Sequence, residues 1–153
     1  MGASHTFRLT SDDPRQRLRF RRYLIAAATT LIFVLLVALC HVRGLIPLRT
    51  FAVASFSSFL AIVVFYGLFR FEWNVKARDP SLTLPMMLWA AATVTYVLYH
   101  AGEAAGVFLL MYPIILFFGV FRLRTPAMLV LTAVILAAYA PILWKTAERG
   151  ISD

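Results

Sequence analysis

The sequence predicts an all-α protein whose helices cross a membrane. Of its 153 residues, 61% are hydrophobic and 14% are charged, whereas about a quarter of the residues in a soluble domain are charged. The hydrophobic residues form runs close to the ~20 residues that cross a bilayer. These runs do not alternate apolar and polar residues with period two, which disfavours a β-barrel. Because a helix satisfies its own backbone hydrogen bonds in lipid, we predict a bundle of five transmembrane helices.

The predicted helices follow the apolar runs in chain order. The first run is not typical of a cleaved signal peptide, because it is too long and further runs follow it. Capping residues mark helix starts, since Thr125 precedes a proline and Thr83 is predicted to cap the third helix. The five runs are Tyr23–Cys40, Phe51–Phe69, Leu84–Tyr99, Ala104–Phe121 and Pro126–Trp144.

Basic residues are distributed unequally between the two ends of these runs. The N-terminal segment, the second connector and the fourth connector hold 11 of the 15 Lys and Arg residues. The positive-inside rule therefore places the N-terminus in the cytoplasm, and five crossings place the C-terminus on the opposite side. The predicted organisation is a basic cytoplasmic segment (1–22), a five-helix transmembrane domain (23–144) and a polar tail (145–153).

Composition also narrows the classes of function. The net charge of +8 does not predict a nucleic-acid partner, because the arginines flank the apolar runs and fit anionic lipid headgroups. The single cysteine, Cys40, excludes an intramolecular disulfide and a cysteine-based metal cluster. No charged residue lies in the middle of a run, although transporters and proton pumps generally need such groups. We predict no catalytic residues, cofactor or metal, so this chain by itself is not an enzyme.

The stretch YHAGE (99–103) is a candidate ligand site. It joins the third and fourth runs, and His41 and Arg43 follow the first run on the same side of the membrane. His100 and Glu103 are three residues apart, so a continuing helix would place them on one face. The histidines and the glutamate suit a divalent metal or haem, whereas His100 with an arginine suits the carboxylate of an amphiphile. The remaining alternative is a solvated turn without a ligand.

Tyrosines extend this candidate site into the apolar region. Tyr96 and Tyr99 are three residues apart and share a helix face with His100. An amphiphile would place its chain between the third and fourth helices, since small-molecule pockets combine apolar walls with few polar groups. The predicted ligand-binding residues are His41, Arg43, Tyr96, Tyr99, His100, Glu103 and Tyr112.

Pro113 predicts a kink in the fourth helix, because a proline leaves the carbonyl four positions earlier, on Leu109, without its helical hydrogen bond. The kink is either a hinge, with Gly119 as a second weak point, or a static bend filled by a neighbouring side chain. Gly102 and Gly106 are expected to permit the tight turn between the third and fourth helices. They also form a G-x-x-x-G pair, a weak motif for dimerisation.

Hydroxyl groups are frequent in the second and third runs. In membrane helices such groups usually bond to their own backbone or to a neighbouring helix. The alternative is that they line a pocket between the second, third and fourth helices. The residues concerned are Ser55, Ser57, Ser58, Thr93, Thr95 and Tyr96.

Three segments of the chain resemble a known family. They are RFEWNVKARDPSLTLP (70–85), YHAGEAAGVFLLMYPIILFFGVFRL (99–123) and TPAMLVLTAVILAAYAPILW (125–144). In order and spacing, they resemble the N-terminal membrane sensor domain of bacterial diguanylate cyclases. In these proteins a multi-helix input domain precedes a cytoplasmic GGDEF domain that makes cyclic di-GMP.

The resemblance implies a sensory module in the bacterial inner membrane, with the tail 145–153 in the periplasm. The family typically has six membrane helices, so we expect this chain to stop before the last helix and the catalytic domain. A change in bundle packing would reach a dimer of GGDEF domains through the sixth helix. Expected partners are membrane lipids, a small amphiphilic ligand and a second copy of the chain. The alternatives are a small oligomeric transporter or channel subunit, and a structural anchor.

Overall fold

A computed structural model describes the backbone of residues 14–71, 73–76, 81–120 and 123–151. Within these ranges, the side chains outside the description are those of 14–16, 75–76, 103, 142–143 and 145–151. The described residues form α-helices and short 3₁₀ turns and no strand, so the predicted all-α class is confirmed. The helices are α1 (Pro14–Val42), α2 (Leu48–Arg70), α3 (Thr83–His100), α4 (Ala105–Leu109), α5 (Met111–Val120) and α6 (Thr125–Ile151).

These helices coincide with the predicted apolar runs. Helices α1, α2, α3 and α6 each contain one run, while α4 and α5 together form the fourth. Helices α1 and α6 extend into the polar segments at the two ends of the chain, to Pro14 and Ile151. Arginine, lysine, glutamate and alanine in those segments are good helix formers, so helical backbone continues where the apolar run has ended.

Two helices are long and apolar enough to cross a membrane, as judged by length and composition. They are residues Arg17–Val42 of α1 and the whole of α2. The stretches Ala105–Val120 and Thr125–Pro141 are also apolar but shorter. The five crossings therefore remain a prediction.

The outward faces of these two helices are apolar. Only 22% and 17% of the residues in their apolar windows are buried, whereas a core helix of a soluble protein is mostly buried. Ile32, Leu35 and Phe56 are 67%, 70% and 69% exposed. Side chains of this size and polarity are stable on an outer surface when that surface faces lipid. The structure is thus consistent with a membrane protein.

Helix α3 lies at the centre of the bundle. It packs against α2, α4, α5 and α6, and α1 packs against α2. The main core contains side chains from all six helices, and its fully buried members include Val37, Val97, Phe108 and Leu131. One contiguous core therefore joins helices that are far apart in the sequence.

The turn from α1 to α2 is closed by a Schellman motif. Gly44 adopts a left-handed backbone with φ +73°. Its N–H donates to the His41 carbonyl at 2.9 Å, and the Leu45 N–H donates to the Cys40 carbonyl at 2.9 Å. These bonds satisfy carbonyl groups that the end of α1 would otherwise leave without a partner.

The turn from α3 to α4 depends on Gly102, as predicted. Its φ of +52° is left-handed, a conformation that costs an ordinary L-residue roughly 1–2 kcal/mol. Gly106 does not share this requirement, because it lies within α4 and a Cβ atom there would meet open space. Tyr23 near the start of α1 and Leu82 just before α3 pack in one cluster, so the opposite ends of these two helices, which carry the two turns, lie at the same end of the bundle.

The predicted capping role of Thr83 is wrong. Helix α3 begins at Thr83, but the capping position is Leu82, whose backbone is left-handed with φ +50° and which makes no side-chain capping bond. The Leu82 side chain is buried in a second cluster with Tyr23, Phe65 and Phe69. The helix thus begins one residue earlier than predicted, with a buried apolar side chain at its capping position.

Candidate functional site

The His100 ring is held at the end of α3. Its Nδ1 lies 2.9 Å from the Tyr96 carbonyl oxygen, and because a carbonyl only accepts, Nδ1 carries the proton. The His100 ring centre lies 4.6 Å from that of Tyr96 and 5.1 Å from that of Tyr99. His100 therefore contacts both tyrosines of the predicted face, while the side chain of Glu103 lies outside the described residues.

His41 is bound to the turn between α1 and α2. Its Nδ1 donates to the Ile46 carbonyl at 2.9 Å, and its ring stacks on Phe51 with ring centres 5.1 Å apart. Arg43 follows His41 by two residues, and its side chain is exposed. No contact joins His41 to His100, and the described residues contain no group of three His, Cys, Asp or Glu able to hold a metal ion. A ligand role for these residues stays a prediction.

Tyr112 connects α5 to α3. Its hydroxyl lies 2.6 Å from Thr95 Oγ1, and Thr95 Oγ1 donates to the Ala91 carbonyl at 2.7 Å. Because the threonine has one hydroxyl proton, the Tyr112 hydroxyl is the donor to Thr95. This predicted ligand-binding residue is buried and has a structural partner.

The fourth apolar segment is interrupted where the sequence predicts a kink. Helix α4 ends at Leu109 and α5 begins at Met111. The break lies just before Pro113, which has no N–H to donate to the Leu109 carbonyl. Pro113 itself is exposed. Hinge motion at this proline stays a prediction.

Gly119, the second predicted hinge residue, lies at a close approach of three helices. A Cβ atom there would lie 2.6 Å from Met87 Cε of α3 and 2.7 Å from Met128 Sδ of α6. These atoms belong to the outer parts of flexible methionine side chains, so a Cβ atom at this position would require those side chains to shift rather than the helices. The hinge role of Gly119 stays a prediction.

The hydroxyl groups of α2 and α3 form a closed ring of hydrogen bonds with an indole. Trp89 Nε1 donates to Ser57 Oγ at 3.0 Å, Ser57 donates to Thr93 Oγ1 at 3.0 Å, and Thr93 donates to the Trp89 carbonyl at 3.0 Å. The bonds to a neighbouring helix match the first of the two expected roles of these hydroxyls. Ser55 differs, because its buried Oγ has no partner among the described residues.

A cavity of about 450 Å³ lies between α1, α2, α3 and α5. Apolar side chains from all four helices line most of it, and Ser58 and Thr93 are among its polar residues. Some hydroxyls therefore line a pocket, the second expected role, although α1 forms an additional wall. None of the predicted ligand-binding or hinge residues is among the described residues that line this cavity. Tyr96 instead lines a smaller cavity of about 270 Å³ beside Ser57 and Trp89.

The sequence predictions miss the α1 wall of the large cavity. Nine residues of α1 line the cavity, and five of them follow one another at spacings of three or four, which places those five on one helix face. Small and hydroxyl side chains on that face were the available signal, but they are equally typical of close helix packing. The five residues are Arg19, Arg22, Ala26, Thr29 and Phe33.

Comparisons with protein-family models, curated proteins and solved structures found no match for this chain. The resemblance to diguanylate cyclase sensor domains therefore depends on the three sequence segments alone. The other features that bear on function are the apolar outer faces, the helix break and the cavity of the bundle.

Proposed function

We propose that the chain crosses the bacterial inner membrane five times, with its N-terminus in the cytoplasm. The apolar outward faces of α1 and α2 and the unequal distribution of basic residues support this placement. The exposed Trp73 and Trp144 would then lie at opposite membrane interfaces. The end of the bundle with the Gly44 and Gly102 turns would face the periplasm, and the end with Arg19 and Arg22 the cytoplasm.

Cysteine labelling tests this topology. Native Cys40 is buried and should not compete for reagent. A thiol introduced by Ser152→Cys should react with an impermeant maleimide in intact spheroplasts. The matched variant Ser4→Cys should react only after lysis. The opposite pattern would overturn the orientation, and labelling of both from outside would overturn the odd number of crossings.

We propose further that the chain is the sensory input domain of a diguanylate cyclase. The observation that carries this proposal is the position of α5, which follows a helix break at Leu110 and borders an unfilled cavity. A helix with a break at one end and a cavity along one side has room to move on the side of the cavity. A sensory module needs two such arrangements of its helices, one for each signalling state.

The proposed mechanism is a population shift between these arrangements. A ligand or a membrane property that favours one arrangement raises the population of that arrangement. For a ligand, the size of the change is set by the difference between its affinities for the two arrangements. Helix α5 packs against α6, so a shift of α5 would reach α6. From α6 the change would pass through a further helix to the GGDEF domains, which must meet in pairs to join two GTP molecules.

The cyclic di-GMP content of cells that express the native gene product tests this function. Pro113→Ala restores a backbone hydrogen bond at the break and should shift that content severalfold. Pro141→Ala makes the same change inside α6, which does not line the cavity, and should have a smaller effect. A native gene that encodes no GGDEF domain would overturn the cyclase link. Flux of ions or small solutes through liposomes that contain the protein would instead favour the channel alternative.

A further inference from the structure

The large cavity has a basic end and a closed apolar end. Arg19 and Arg22 of α1 line one end, and Arg22 is exposed, so the cavity reaches the surface there. At the other end, the rings of Phe33 and Phe108 meet edge-on with their centres 6.2 Å apart. Phe108 is fully buried. The cavity is therefore accessible beside the arginines and closed towards the two glycine turns.

A lateral opening lies between α1 and α5. These two helices line the cavity from opposite sides but are not a packed pair in the described part of the chain. Ile25 of α1 and Ile114 and Phe117 of α5 line the cavity and are 49%, 40% and 65% exposed. In the proposed placement this apolar rim faces the acyl chains of the bilayer. An occupant would therefore enter from the membrane.

The length of the cavity matches one leaflet of a bilayer. Arg22 and Phe33 are 11 residues apart on α1, which is about 17 Å at ~1.5 Å per residue. Half of the ~30 Å hydrocarbon core is about 15 Å. The cavity would thus extend from the level of the lipid headgroups to the middle of the membrane, the depth that an acyl chain occupies.

The volume of the cavity suits a small molecule or one hydrocarbon chain. It is about 450 Å³, within the ~300–1,000 Å³ that is typical of small-molecule pockets. Two arginines and no acidic residue are among the described residues that line it. This charge favours an amphiphile with an anionic head over an apolar helix as the occupant.

We propose that the cavity binds one acyl chain of an anionic glycerophospholipid from the cytoplasmic leaflet, with the lipid phosphate beside Arg22 and Arg19. Arginine guanidinium groups bind phosphate oxygens through directed, charge-assisted hydrogen bonds. The apolar walls would hold the chain, and the arginines would select the charge of the headgroup. This inference rests on the proposed membrane placement and is independent of the cyclase link.

Fluorescence quenching of Trp89 tests the site. Trp89 lines the cavity, whereas the other two tryptophans, Trp73 and Trp144, do not. The full chain carrying Trp73→Phe and Trp144→Phe is reconstituted in phosphatidylcholine vesicles. The vesicles contain a small fraction of one brominated lipid, which is either phosphatidylglycerol or phosphatidylcholine with bromine on its acyl chains. Bromine quenches the fluorescence of an indole on contact. Brominated phosphatidylglycerol should reach half-maximal quenching at a fraction at least about fivefold lower than the zwitterionic lipid.

Two pairs of variants locate the lipid. Arg22→Gln should raise the half-quenching fraction of phosphatidylglycerol about fivefold, whereas Arg21→Gln, beside it on α1 but outside the cavity lining, should not. Ala26→Phe fills the cavity and should abolish the preference. Ala28→Phe, which does not line the cavity, should retain it.

Each other outcome overturns the inference. Equal quenching by the two lipids in inserted protein would overturn the anionic-lipid site alone. No quenching by either lipid would overturn an acyl-chain site in the cavity, and is the result expected if another segment or a second copy covers it. Protein that carbonate extracts from the vesicles is not inserted, and that result would overturn the membrane placement together with the site. None of these measurements depends on cyclic di-GMP.

Discussion

The two halves of the bundle are built from similar side chains but packed differently. We call the half with the Gly44 and Gly102 turns the packed half; there Val37, Val97 and Phe108 are completely buried, and the cavity beside Tyr96 is the smaller one, about 270 Å³. We call the half that begins at Arg19 and Arg22 the cavity half; there α1, α2, α3 and α5 leave about 450 Å³ unfilled between them. Apolar composition alone therefore does not determine how closely helices pack.

Chain connectivity accounts for part of this difference. In the packed half, α1 is joined to α2 through residues 43–47 and α3 to α4 through residues 101–104, so neighbouring helix ends are held together. In the cavity half, the connector between α2 and α3 is longer, covering residues 71–82, and only α5 and α6 are joined closely, through residues 121–124. Helices α1 and α5 are not consecutive in the chain, so no turn brings them together. The following predictions test this contrast by changing equivalent side chains in the two halves.

The largest effect is expected from removing a core ring in the packed half. Phe108→Ala should lower the free energy of unfolding in detergent by about 4 kcal/mol, because it leaves a void among side chains that cannot fully collapse. Phe117→Ala removes the same atoms from the exposed rim of the cavity half and should cost far less. Denaturation by SDS in mixed micelles measures both, and equal losses would contradict the contrast.

Adding volume should also cost more stability in the packed half than in the cavity half. Ala104→Phe places a ring in the packed half, where Ala104 is buried, and should cost about 3 kcal/mol through overpacking. Ala26→Phe places the same ring in the cavity and should leave the unfolding free energy nearly unchanged. If Ala26→Phe were as destabilising as Ala104→Phe, the cavity half would be tightly packed in solution.

The turn that closes the packed half provides a smaller effect. Gly102→Ala should cost about 1 kcal/mol, because alanine in a left-handed backbone is strained. Gly106→Ala, in a helical position with open space at its Cβ, should be neutral or slightly stabilising. The same unfolding measurement compares them, and a neutral Gly102→Ala would show that the turn adopts another backbone.

The smallest effect is expected where the two halves meet. Tyr112→Phe removes the hydrogen bond to Thr95 and should cost about 0.6 kcal/mol, a typical value for such bonds between membrane helices. Tyr66→Phe on the exposed surface of α2 is the control and should change little. A loss of several kcal/mol would mean that this bond, rather than apolar packing, holds α5 against α3.

Much of the secondary structure was predictable, whereas side-chain partners were not. The five apolar runs, the break before Pro113 and the turn at Gly102 follow from local properties: hydropathy, a missing N–H and the absence of a Cβ atom. The cap of α3 at Leu82 was missed because its left-handed backbone accompanies burial in a cluster of residues from α1 and α2. Contacts between residues so far apart in the sequence cannot be predicted from the residues on either side of Leu82.

The candidate site shows the same limit. His41 and His100 stood out as polar residues at helix ends, but in the structure each bonds to a carbonyl close in sequence. Arg22 and Ala26 looked like an ordinary basic flank and an ordinary small residue. Only the arrangement of four helices places them on the wall of one cavity.

The sequence by itself determined that the chain is helical and apolar, and that the helical segments are interrupted at the Gly102 turn and before Pro113. These properties depend on residues within a few turns of one another. The tertiary structure decided which end of the bundle is packed and which is open. That outcome depends on the volumes of side chains from α1, α2, α3 and α5 meeting in space, and close packing is a property of all of them together.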